Sequence, residues 1–361
     1  MAFMRWAVTV AMAAGLLVAL VPAAAQAQAS LWAAQMVGAR AAIQKGDYAK
    51  AEELLATALK TAEDLKQDDR IATTLQDQAM LFVGEKKFAQ AEAPMKRLLE
   101  MTEKKRGADS LPVADLLNNL AGVYKDGGKF AESEPLFKRA LAIIETKKSK
   151  DDRDAARIWS NLCELYRDWK KFPESEEAGK RALAIHQNIL GPEHFLATGA
   201  MINLALTYQA EGKYAEAEVL LNRVVDIRKK SEREQPPRVG QSLIALADLY
   251  KAQEKYDKAE PLYKEVMAML EKYKLAADPI SLEVLEKYAD LLKKMKRDDE
   301  AAKIEERIGA IKAAQAAPPA KAEPAKPGPG PVKKEEPPAK KEPAPAKTDA
   351  PPAKTDAPPA K

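Results

Sequence analysis

The chain has 361 residues, 46% apolar, 31% charged and only 6% aromatic, with a formal net charge of +4. Arg5 carries one unit of that charge and the segment from Ala313 onward carries three, so 48 bases meet 48 acids in between, and a neutral body excludes the basic footprint of a nucleic-acid-binding fold. One Cys and two His rule out an internal disulfide and a Cys-rich zinc site, leave little for a Ser/His/Asp or Cys/His machine, and predict no enzyme, metal or cofactor.

The first 27 residues read as a Sec-type export signal. Arg5 is the positive flank, Trp6 to Leu20 the apolar run, and Pro22 breaks it ahead of Ala23, Ala24, Ala25, Gln26 and Ala27. Cleavage after Ala25 or Ala27 satisfies the small-x-small rule, no lipid-accepting Cys follows, and the run is short for a bilayer span. The expected product is exported, periplasmic or extracellular, without a stable membrane anchor; an uncut N-terminal anchor is the alternative.

Residues 28–314 repeat. LQDQAMLFVGEKKF at Leu75 returns as LNNLAGVYKDGGKF at Leu117, WSNLCELYRDWKKF at Trp159, MINLALTYQAEGKY at Met201, LIALADLYKAQEKY at Leu243 and LEKYADLLKKMKRD at Leu285, each 42 residues on. A looser copy, QMVGARAAIQKGDY, starts at Gln35 and makes seven. Within a copy, Leu117, Leu120, Ala121 and Tyr124 fall on one helical stripe, Gly127-Gly128-Lys129 marks a turn, and Ser133, Phe137, Ala140 and Leu141 line a second helix. Prolines 94, 135, 173 and 261 sit early in second helices, where a missing N–H is tolerated. Residues 315–361 change to Pro, Ala, Lys and Glu with a near-repeating PAKTDAP, a composition that cannot bury apolar area and predicts a disordered tail.

The alternation of a small residue, an aromatic and a second small residue resembles the tetratricopeptide repeat (TPR). It is carried by Ala121, Tyr124, Phe130 and Ala140; by Cys163, Tyr166, Phe172 and Ala182; by Ala205, Tyr208, Tyr214 and Ala217; and by Ala247, Tyr250, Tyr256 and Ala259. The period of 42, LNNLA at Leu117 and LGPEHFLAT at Leu190 are similar to the kinesin light chain type of array. The resemblance implies an all-α, right-handed α-solenoid of about seven helix pairs. In the last copy Leu292 stands for the Tyr, Asp298 for the next aromatic and Glu305 for a bulky apolar residue, as expected of a capping pair.

Cys163 takes the place of Ala121, Ala205 and Ala247, and so is expected to be a packed thiol. His186 and His194 form a poor metal signature, and the many acids read as solvated helix faces. The family implies that first helices line a concave groove, with the position before the small-residue doublet facing it; here that position is Asn119, Asn161 and Asn203. With Arg157, Lys125, Arg167, Gln209 and Lys251 they form an acceptor-seeking set suited to an extended peptide or a carboxylate-bearing segment. The three amides are expected to be free of buried partners. Arg157 with Asn161 in the second place departs from the family's two-cation carboxylate clamp, which argues against a chaperone tail as ligand. The expected function is a non-enzymatic exported scaffold for a protein or extended peptide; the alternative is an envelope tether whose Lys/Pro-rich tail makes weak contact with an anionic cell wall.

Overall fold

The computed structural model describes residues 23–230, 235–275 and 278–316. Among these residues there are fourteen α-helices and no strand, arranged as seven antiparallel pairs: α1 (Ala23–Gln44) with α2 (Tyr48–Asp64), α3 (Asp68–Gly84) with α4 (Phe88–Arg106), α5 (Leu111–Asp126) with α6 (Phe130–Lys147), and α7 (Arg153–Asp168) with α8 (Phe172–Leu190). Next come α9 (Ala197–Glu211) with α10 (Tyr214–Lys229), α11 (Pro236–Ala252) with α12 (Tyr256–Lys272), and α13 (Pro279–Lys294) with α14 (Asp298–Ala316). No described helix is long and apolar enough to cross a membrane.

Helical spacing of apolar residues decides each element. In α7, Ala155, Ala156, Ile158, Leu162, Cys163, Leu165 and Tyr166 are buried while Arg153, Asp154 and Arg157 remain outside, and Asp152 caps the start by accepting from the Asp154 amide at 2.8 Å. The expected stripes in α5 and α6 are buried throughout, with Phe137 fully enclosed. Ala121, Ala205, Ala247 and Cys163 are all at 0% exposure, so the small-residue positions are where paired helices meet. Gly179 faces Cys163: a Cβ there would sit 3.1 Å from Sγ and 3.2 Å from Leu204 Cδ1.

One turn geometry closes every pair. The residue two before each second helix has positive φ: Gly46, Lys86, Gly128, Lys170, Gly212, Glu254 and Lys296. The next amide reaches back to the carbonyl of the first helix's last core residue, as in Lys129 N to Tyr124 O (2.8 Å), Lys171 N to Tyr166 O (2.7 Å) and Arg297 N to Leu292 O (2.9 Å). Only three of the seven copies place glycine there, so a left-handed Lys or Glu elsewhere is held by that bond against its intrinsic cost.

Pro173 occupies the first helical positions as expected, but Pro94, Pro135 and Pro261 lie inside α4, α6 and α12, beyond the turn whose amides are free. Each therefore removes a main-chain donor from a helix that nonetheless runs on.

From α5 to α13 each first helix touches the next first helix, while neighbouring second helices make at most glancing approaches. A stack with one row closer than the other bends toward the close row, so the first helices form the concave wall.

The expected export signal lies largely outside the described residues. Where the side chains of α1 are described, Gln26, Ala27, Gln28 and Ser30 are exposed and packing begins near Trp32. Of the tail expected to be disordered from 315, residues 315 and 316 still belong to α14, and the rest lies outside the described residues.

Candidate interaction surface

All eight expected groove residues lie on first helices: Asn119 and Lys125 on α5; Arg157, Asn161 and Arg167 on α7; Asn203 and Gln209 on α9; Lys251 on α11. Stacking at 42-residue intervals sets them over one another, and most find partners on the adjoining first helix. Arg157 Nη2 donates to Asp115 Oδ1 at 2.9 Å. Lys125 Nζ and Asn203 Nδ2 converge on Glu164, at 2.8 Å to Oε2 and 3.0 Å to Oε1, so one carboxylate of α7 ties α5 to α9. Burial depresses the Lys125 ammonium, but Glu164 and Asp126 outweigh it and leave the group raised. Lys251 Nζ donates to Asp290 at 3.1 Å, and Lys287 and Tyr263 both meet Asp248.

Two expectations change. The amides are not free: Asn161 Nδ2 donates to Asn118 Oδ1 at 2.8 Å, and Asn118 is only 5% exposed, so removing Asn161 orphans a buried acceptor. The set is also less acceptor-seeking than its composition, because Lys125, Arg157 and Lys251 already hold carboxylates of this chain. What stays exposed or unpaired is narrower. Asn119 is exposed, and its Oδ1 receives only the neighbouring Asn118 amide at 3.4 Å. Arg167 Nη1 and Gln209 Oε1, at one register position in successive pairs, are a donor and an acceptor buried without a hydrogen-bond partner. Gly122, in register with Glu164 and Asp248, and Gly199, in register with Arg157, have nothing within 4 Å of where a Cβ would stand. Val37 and Met80, on α1 and α3, are 69% and 65% exposed.

A second polar row escaped the sequence reading. Glu92, Glu134, Glu176, Glu218 and Glu260 stand 42 residues apart near the start of second helices, and each accepts from a tyrosine of the following first helix: Tyr124 (2.9 Å), Tyr166 (2.8 Å), Tyr208 (3.3 Å), Tyr250 (2.8 Å) and Tyr288 (3.0 Å). The cation after the following turn joins four of them: Lys129 on Glu92 (2.7 Å), Lys171 on Glu134 (3.7 Å), Lys213 on Glu176 (2.9 Å) and Arg297 on both oxygens of Glu260 (2.9 Å). Lys129, Lys171 and Lys213 also stand 5.5–5.9 Å from the centroid of the same tyrosine ring. Hydrogen bonds from Lys129, then Lys96 and Tyr124, hold Glu92 down at about 2, and Lys180 with Lys213 lowers Glu176. These acids are therefore pins between pairs rather than solvated faces; the signal was present as Glu, Tyr and Lys sharing one period.

The pins also correct the capping argument. The tyrosine serves the preceding pair, so Leu292 in the last copy does not follow from a missing successor; it is buried, and Tyr288, one turn earlier, supplies the hydroxyl. Asp298 and Glu305 do face solvent on the terminal helix, Glu305 paired with Lys293.

Cys163 is fully buried, its Sγ 3.5 Å from both Ser175 Oγ and Thr207 Oγ1, and burial raises its thiol. His194 Nδ1 accepts from the Leu196 amide at 3.1 Å. Among the described residues no three His, Cys, Asp or Glu side chains group as a metal site.

Tetratricopeptide repeat family models match residues 113–147, 154–230 and 242–276. A comparison with curated proteins finds no match. Among solved structures, the chain is similar to the apo form of RapI (13% identity, 78% of this chain and 97% of that one, TM-score 0.54) and to BtubC (BKLC) from P. vanneervenii (20% identity, 63% and 90%, TM-score 0.50). It is also similar to a putative kinesin light chain of Podosopora anserina with nearly identical TPR-like repeats (25% identity, 57% and 98%, TM-score 0.49). The likeness to RapI and BtubC is one of fold; the family-model matches fall on the stacked pairs that carry the 42-residue period and the small-aromatic-small register, and the chain is a tetratricopeptide repeat protein.

Proposed function

We propose that this protein is a non-enzymatic, exported scaffold that holds an extended segment of a partner protein along the concave wall of first helices. The observation that carries this reading is the pairing pattern on that wall. Most of its charges are spent between helices, yet Arg167 Nη1 and Gln209 Oε1, at one register position of neighbouring helices, have no partner, and the same row of first helices leaves space over Gly122 and Gly199. A donor and an acceptor without partners complement the C=O and N–H of a peptide group once their side chains turn outward, and missing side chains elsewhere on the row let a main chain approach closely. The pairing of Lys125, Arg157 and Lys251 with own-chain acids favours main-chain recognition over selection of acidic side chains.

The test fills the wall. Gly122→Leu with Gly199→Leu places side chains in open space and improves helix propensity by about 0.8 kcal/mol or more per site, so the fold should be retained or stabilised. Affinity capture from the producing cell, read by mass spectrometry, should recover a partner with the parent protein and lose it with this variant. Recovery of the same partners by both would refute groove binding. N-terminal sequencing of protein from the cell envelope should find Gln26 or Gln28 first; an intact Met1 there would refute export by cleavage.

A further inference from the structure

Arg228 stands where the array calls for an apolar residue. The positions 42 residues to either side of it are His186 and Leu270, and one further back is Ile144; Ile144 and Leu270 are core, at 1% and 5% exposure. Arg228 is as buried as they are, at 7%. Its Nε donates to Thr198 Oγ1 at 3.1 Å and its Nη1 to the Arg238 carbonyl at 2.8 Å, both neutral acceptors. Among the described residues no carboxylate lies within ion-pair distance of Arg228 or of Arg238. A second cation is present instead: the Arg238 guanidinium lies 4.8 Å from the Phe195 ring centroid and that of Arg228 6.0 Å from it. Burial, with the Arg238 charge added, pulls Arg228 down to about 10.

An enclosed guanidinium with neutral hydrogen bonds and a like charge beside it is an expensive arrangement, because Coulombic attraction to a counter-charge normally offsets lost hydration. Two of its five N–H groups are used, and the others stay available in a planar fork that matches the oxygens of an oxyanion. The same end of the preceding pair repeats the departure in milder form. There His186 Nδ1 is buried without a partner, and burial, together with the charges of Arg153 and His194, lowers its ring. This edge, formed by the C-terminal end of α10, the α8–α9 linker and the start of α11, is separate from the row of eight residues on the concave wall.

We propose that Arg228, Arg238 and Thr198, walled by Phe195, form a site for a small oxyanion, a phosphate or carboxylate group, at the linker edge between the fifth and sixth pairs. The anion supplies the counter-charge that no described residue gives Arg228, and bridges it to Arg238. Binding to the folded state raises the unfolding temperature by mass action.

The probes are inorganic phosphate and acetate, each compared with chloride at equal ionic strength, read by thermal unfolding and calorimetric titration of the full mature chain. Phosphate or acetate is expected to raise the midpoint by about 3 °C or more near saturation; a response to phosphate alone assigns a phosphate-bearing ligand, and a response to acetate a carboxylate-bearing one. Arg228→Leu restores the residue type of Leu270, so it is expected to fold and to lose that rise. Arg238→Gln, at an exposed position, is expected to weaken titrated affinity about tenfold with unfolding in chloride unchanged. No anion-specific rise in the parent protein, or an undiminished rise in both variants, overturns the proposal.

Discussion

Two polar rows join successive pairs, and they differ in regularity. The row near the starts of second helices repeats: a Glu, a Tyr of the next first helix and, at four of five junctions, a Lys or Arg after the next turn. The row on the concave wall is irregular: Asp115–Arg157, Asn118–Asn161 and Lys125–Glu164 all join α5 to α7, Glu164–Asn203 joins α7 to α9, and the Lys–acid register of Lys125–Glu164 returns only at Lys251–Asp290. A contact that recurs with the period is architecture, since each pair needs the same grip on its neighbour. A contact that varies while the backbone stays constant is where one array differs from another, and the unpartnered atoms occur there too.

The sharpest way to break this contrast is to remove one wedge. Tyr166→Ala deletes a buried ring together with its bond to Glu134 and is expected to cost about 3 kcal/mol or more in chemical unfolding. A cost near that of an exposed surface change would mean the periodic row is not structural.

Acid titration tests the row collectively. Glu92, Glu134, Glu176 and Glu260 are all held below the ordinary carboxylate value, Glu92 at about 2. Groups depressed in the folded state contribute stability that is present above their unfolded value and is lost as pH falls through the folded one. Urea midpoints should therefore fall from about pH 4.5 toward pH 2, and Glu92→Gln should lower stability at pH 7 while flattening that acid limb. A limb unchanged in the variant would remove Glu92 from the account.

The wall should respond unequally at its three asparagines. Asn161→Ala strands the buried Asn118 acceptor and should cost about 1 kcal/mol, whereas Asn119→Ala, exposed and bonded only to its neighbour, should be neutral or slightly stabilising. Equal effects on unfolding would mean the bond across α5 and α7 carries no weight. Smaller still, Lys170→Gly relieves a left-handed residue at φ 60° and should stabilise by about 0.5–1 kcal/mol, while Gly128→Ala at φ 75° should destabilise by a comparable amount. Differential scanning calorimetry of both variants reads the two signs together.

Much of this was written in local pattern. Leu117, Leu120, Ala121 and Tyr124 share a helical face whatever surrounds them, and a 42-residue period repeats that face, so the helix pairs, their register and the packed place of Cys163 follow from sequence. Pair-to-pair grip was less legible although its residues were periodic, because Glu134 and Tyr166 are 32 positions apart and become neighbours only once the stacking is set. The wall was legible only as a list of residues. Whether Lys125 seeks an external carboxylate or holds Glu164, 39 residues on, depends on how closely α5 and α7 approach, and that distance comes from the stack's curvature. Arg228 was invisible for the same reason: by composition it is one more surface cation at a helix end, and only the packing of α9, α10 and α11 encloses it, since burial belongs to the assembled array and not to any one helix.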